Sequence, residues 1–104
     1  MEWKVGDRVK VIKVEGYAVN SLYYKGLQGT VIYVSKTTYP AMVLIEFDEY
    51  INGHSGNSMK VYGKHGQCWW FSILDEQYTY GVPTLEEDGV YLERIRCNKK
   101  NNYW

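Results

Sequence analysis

Only two prolines and two cysteines occur among the 104 residues, and acidic and basic side chains balance at 12 each. Two thiols are too few for the disulfide framework of a small secreted domain. The opening Met1-Glu2-Trp3-Lys4-Val5 has no apolar leader, so the chain reads as cytoplasmic with free thiols. No apolar run approaches the ~18 residues of a membrane-spanning helix. Balanced charge argues against a protein held mainly on phosphate backbone, because that affinity needs a surplus of Lys and Arg to displace counterions. No helical stripe longer than two turns can be drawn. The chain also lacks a Gly-x-Ser-x-Gly elbow, a Walker loop and a His-Glu-x-x-His helix, so it reads as a non-enzyme without a cofactor.

What is abundant is tyrosine, 11 residues, together with ten glycines that punctuate short Val/Ile/Tyr/Phe/Trp runs. That is the pattern of an all-β antiparallel domain. The first strand is expected over Arg8 to Val14, with Val9 and Val11 inward and a bulge at Ile12-Lys13-Val14, where the alternation slips. A long loop anchored by Tyr17, Tyr23 and Tyr24 follows. Thr30 to Val34 is apolar on both faces and so is expected to be covered on both. Met42 to Asp48 places Val43, Ile45 and Phe47 inward. The polar stretch Ile51 to Gly66 reads as a long hairpin loop, Cys68 to Ser72 as a strand, and Leu74 to Gln77 as a short helical turn. Tyr78 to Gly89 reads as an added hairpin with an acidic turn, and Val90 to Arg96 as the closing strand. The expectation is one partly open barrel of about five strands over residues 1–97, with an insertion at 73–89 and a polar tail at 98–104.

Neutrality hides blocks of charge: residues 1–36 carry +3, residues 37–93 carry −7 and residues 94–104 carry +4. An acidic middle that folded into one face would suit a basic groove on another protein. Adjacent residues of a strand point oppositely, so Trp69 and Trp70 cannot both enter the core. If Trp69 and Phe71 fill the core, Trp70 is the outward anchor. Tyrosine in loops supplies contact area at low entropic cost. The candidate partner-binding set is therefore Trp70, Tyr23, Tyr24, Tyr50, His54 and Tyr62, with the acidic Glu86, Glu87 and Asp88. The competing expectation is a basic stripe of Arg8, Lys10, Arg94 and Arg96 that binds single-stranded nucleic acid with the help of exposed aromatics. The carboxylates of Glu46 and Asp48, about 7 Å apart along one strand face, read as a solvated face, not an acid/base pair. His65 and Cys68 have a ligand-like spacing. Their possible fellow ligands His54 and Cys97 lie singly, 11 residues before and 29 after, so no metal is assigned.

Gly6-Asp7-Arg8-Val9-Lys10-Val11, then Gly29-Thr30-Val31, then Val43-Leu44-Ile45-Glu46-Phe47-Asp48-Glu49 resemble the opening of SH3-like small barrels such as KOW and CAP-Gly domains. The loop Asn52-Gly53-His54, followed by Gly66-Gln67-Cys68-Trp69-Trp70, is similar to small uncharacterised barrel proteins of bacteriophages and prophages. The resemblance spans residues 5–74 and implies an SH3-like barrel. The Asn52 to Asn57 loop lacks the lysine and acid of a CAP-Gly loop, and the surface is less basic than in KOW proteins, so neither activity carries over. In style the chain resembles phage accessory proteins, including the anti-CRISPR class. This implies stoichiometric binding that blocks a host protein, such as a defence nuclease, in the host cytoplasm.

Overall fold

The computed structural model describes residues 3–15, 22–35, 41–56, 62–74 and 84–95. They form an all-β barrel of six antiparallel strands: β1 Arg8–Val14, β2 Gln28–Ser35, β3 Met42–Phe47, β4 Cys68–Ile73, β5 Thr84–Glu87 and β6 Val90–Ile95. Each strand pairs with the next, and β6 returns to β1, so the sheet closes on itself. Closure removes the free edges that would otherwise template aggregation. The sequence reading anticipated a partly open barrel of about five strands. The sixth strand is β5, expected as an arm of an added hairpin but in fact the piece of wall that joins β4 to β6. The insertion expected at 73–89 therefore contributes to the barrel itself. Asp75 to Gln77 of the expected helical turn and the Tyr78 arm of the hairpin lie outside the described residues.

Two bulges decide which side chains reach the interior. In β1, pairing with β6 slips between Val11 and Lys13. The inward set therefore changes parity from Val9 and Val11 to Val14, which packs against the core. In β2, pairing with β3 slips between Val31 and Tyr33, so Val34 turns inward opposite Val43 while Tyr33 turns outward opposite Leu44. The first slip is where the alternation breaks in the sequence. The second has no such signal, because Val31-Ile32-Tyr33-Val34 is apolar in either register.

The core holds Val9, Val11, Val31, Val43, Ile45 and Phe47 from the first three strands and Phe71, Leu85, Val90 and Leu92 from the rest. Phe47 and Phe71 meet edge to face at 5.8 Å, a favoured aromatic geometry. Leu44, which the alternation turns outward, is also fully buried. It lies opposite Trp70 and Tyr33, whose rings meet edge to face at 6.1 Å, so part of the outer face of β2, β3 and β4 is itself packed. Among the described residues no helix is long and apolar enough to cross a membrane.

Candidate functional site: an acidic, tyrosine-lined face

Tyr23 and Tyr24 are consecutive and serve different purposes. Tyr23 leans inward, edge to face with Phe47 at 5.4 Å and with Phe71 at 6.3 Å, so its ring caps the core. Its phenol is pushed well above the ordinary range, first by burial and then by the nearby charges of Glu87 and Asp88. Tyr24 points to solvent with 47% exposure and donates its hydroxyl to Glu49 Oε2 at 2.6 Å. That bond, with smaller effects of burial and of the Glu49 and Asp48 charges, raises the Tyr24 phenol as well. Tyr23 is thus under the influence of the Glu87/Asp88 turn and Tyr24 under that of Glu49 and Asp48.

The acidic hairpin turn is built by local chemistry. Asp88 and Gly89 both have positive φ, 50° and 86°, as a two-residue turn twisted to match the strands requires. Glu86 accepts a hydrogen bond from the Gly89 N–H at 3.0 Å. Burial and the neighbouring Asp88 and Glu86 hold the Glu87 carboxyl above its ordinary value.

Tyr50 follows Glu49 and is 56% exposed. Its hydroxyl donates to Asn52 Oδ1 at 3.0 Å, and its ring lies over Gly66, where any Cβ would collide with it. Gly66 also has φ of 81°, so glycine serves that position twice. The chain beyond Tyr50 is not a free loop. Ile51 is fully buried in the core, the Ile51 and Gly53 N–H groups both donate to the Gly66 carbonyl, and His54 and Cys68 exchange backbone hydrogen bonds of 3.0 Å. His54 Nδ1 accepts the Gly56 N–H at 2.9 Å, and burial lowers the imidazole below its ordinary value. Tyr62, 67% exposed, stands beside Gly63, whose N–H donates to the Ser55 carbonyl.

The expected anchor Trp70 is half-buried against Tyr33, and Trp69 is the more exposed indole at 37%. Phe71 enters the core as expected, but Trp69 does not. The Trp69 indole lies instead against the His54 ring, centroids 5.1 Å apart. Adjacency in sequence singled out the Trp pair, and only the packing of residues 51–54 decides between its members. Glu49, Asn52 and Gly66 entered the sequence reading only as members of the strand and loop motifs, not as candidate binding residues.

Of the four residues expected in a basic stripe, Arg8 and Arg94 are paired with carboxylates. Arg8 makes two hydrogen bonds to Asp48, at 2.9 and 2.7 Å, and further bonds to Thr30 and Gln28. Arg94 pairs with Asp7 at 3.3 Å and lies 4.6 Å over the Trp3 ring. Lys10 stays unpaired among the described residues, in a shallow groove of about 360 Å³ shared with Lys25 and Glu93. Arg96 lies outside the described residues.

Glu46 and Asp48 are likewise committed, Glu46 Oε2 accepting the Lys64 N–H at 2.7 Å and Asp48 holding Arg8. His65 is exposed while Cys68 is buried. Burial, with the nearby Glu46 charge, pushes the Cys68 thiol up to about 11. Among the described residues no three His, Cys, Asp or Glu side chains converge on a metal position, and Cys97 lies outside them.

No family model, no curated protein and no solved structure matches this chain.

Proposed function

We propose that this protein is a non-catalytic binding module that docks on another protein through its exposed aromatic side chains Tyr24, Tyr50 and Trp69 and its acidic side chains Glu49 and Glu86-Glu87-Asp88. One observation carries the reading. The exposed aromatics are held in place before any partner arrives, Tyr24 by Glu49, Tyr50 by Asn52 and Gly66, and Trp69 by His54. Rings ordered in advance lose little entropy on binding, and aromatic side chains dominate the energetics of protein interfaces. A host protein, such as a defence nuclease, is proposed as the partner on the resemblance drawn from the Asn52-Gly53-His54 and Gly66-Gln67-Cys68-Trp69-Trp70 segments alone.

The nucleic-acid reading is the weaker one because Arg8 and Arg94 spend their charge on Asp48 and Asp7. The deciding experiment is capture from nuclease-treated host lysate by the wild-type chain and by Tyr50→Ala and Trp69→Ala variants. The expected result is a defined partner that survives nuclease and is lost with either variant. Tight binding of the isolated protein to single-stranded DNA at ~0.15 M salt, with no nuclease-resistant partner, would overturn the proposal.

A further inference from the structure

The His54 ring is held between two neighbours. Its backbone exchanges hydrogen bonds of 3.0 Å with Cys68 of β4, which fixes the residue beside the strand. Its ring lies against the Trp69 indole, with centroids 5.1 Å apart and planes inclined by 33°, and its Nδ1 accepts the Gly56 N–H at 2.9 Å. That last bond fixes the tautomer, since Nδ1 must be bare and the ring proton of the neutral imidazole must sit on Nε2. The donor opposite Nδ1 has little room to withdraw. Gly56 is buried with φ of 93°, and the Ser55 carbonyl beside it accepts the Gly63 N–H at 2.8 Å. A proton added to Nδ1 therefore sets two N–H groups head to head. At the same time the imidazolium is drawn to the indole, the best of the aromatic rings for a cation. Both forces turn the ring the same way, off Gly56 and onto Trp69.

The groups around His54 leave this response to the imidazole itself. Its partner across the bridge to β4 is Cys68, whose thiol stays neutral because burial and the Glu46 charge push it up to about 11. Glu46 of β3 lies on the far side of Cys68 and accepts the Lys64 N–H, and Gly63, bonded to Ser55, stands between Tyr62 and Lys64. Burial alone lowers the His54 imidazole.

We propose that His54 is a proton-operated cover for Trp69: neutral, it is held back by Gly56 and leaves the indole available, and protonated, it closes over the indole. That the movement regulates docking rests on the protein-binding reading, in which Trp69 is an anchor. The movement itself does not.

The test uses the whole chain and needs no partner. Nitrogen NMR of the histidine rings in isotopically labelled protein at about pH 8 is expected to show His54 as the Nε2–H tautomer. Acrylamide quenching of tryptophan fluorescence, with the Trp69→Phe signal subtracted to isolate Trp69, is expected to show this indole becoming about twofold less accessible between about pH 8 and about pH 5. His54→Gln should abolish the change, and His65→Gln, which removes the other imidazole of the chain, should leave it intact. Circular dichroism at each pH sets the range over which the sheet is retained. The proposal is overturned if neutral His54 carries its proton on Nδ1, if Trp69 accessibility stays constant or rises on acidification, or if the change survives His54→Gln. Such a result leaves docking through Trp69 standing, because no partner enters these measurements. Lysate capture that ignores Trp69→Ala while the cover moves as described would instead remove the docking reading alone.

Discussion

Arg8 and Asp48, 40 residues apart in sequence, close on each other through two hydrogen bonds of 2.9 and 2.7 Å that tie the start of β1 to the end of β3. The hydrogen bonds from Arg8, helped by its charge, hold the Asp48 carboxyl below its ordinary value of 3.8. A carboxyl lowered by folding stabilises the native state above its unfolded value, and that contribution is lost as pH falls through the folded one. Both side chains are partly open to solvent, so Asp48→Asn should cost only about 0.5–1 kcal/mol at neutral pH in urea unfolding. The difference from wild type should shrink below about pH 4. A difference that persisted at pH 2 would assign the loss to packing instead of charge.

The stacking of Tyr50 on Gly66 predicts a two-part penalty for Gly66→Ala. The positive φ is unfavourable for alanine, and the new methyl meets the Tyr50 ring. Equilibrium unfolding should register about 1–3 kcal/mol of destabilisation. Adding Tyr50→Ala should recover part of it by relieving the collision while the backbone strain stays. No recovery would mean that the ring moves aside at little cost.

His54 is held neutral by burial, so its folded pKa lies below 6.5. The unfolded chain then takes up a proton first as pH falls, and stability should decline as pH drops below 6.5 toward the folded value. Protonation also ends the role of Nδ1 as acceptor for Gly56, and the imidazole lies against Trp69. Tryptophan fluorescence should therefore titrate below pH 6.5 in wild type and lose that step in His54→Gln. An unchanged step in the variant would place the titrating group elsewhere.

Cys68 is fully buried, and its thiol is pushed up to about 11 by burial and by the Glu46 charge. Only the thiolate is nucleophilic, so native protein at pH 8 should be modified by iodoacetamide at Cys68 far more slowly than denatured protein, by about 100-fold or more. Peptide mapping by mass spectrometry reads this position separately from Cys97. Rapid labelling of Cys68 in the native state would show that the Gly63-Lys64 segment packed against its thiol opens readily.

Strand positions were legible because a half-buried strand repeats every two residues, and that period is visible locally in Arg8 to Val14, Met42 to Phe47 and Val90 to Ile95. An acidic turn was expected at Glu86 to Asp88, and the structure places it at Asp88-Gly89 with Glu86 and Glu87 in β5. Leu44 shows where this reasoning stops. Alternation assigns it to solvent, yet it is fully buried, because Tyr33 is turned outward by the β2 bulge and meets Trp70 on the same outer face.

By itself, then, the sequence determined the all-β character, most strand limits and the inward alternation of the first and third strands, all set by contacts within a few residues. Tertiary structure alone decided that the barrel closes through a sixth strand, that Trp69 and not Trp70 is the more exposed indole, and that Arg8 and Arg94 are neutralised by Asp48 and Asp7. It also decided that Glu49 comes to lie under Tyr24. The physical reason is that side-chain period is a local property of a strand. Burial at a strand end, the partner of a charge and the bond from Tyr24 to Glu49 depend on segments brought together only when the sheet closes.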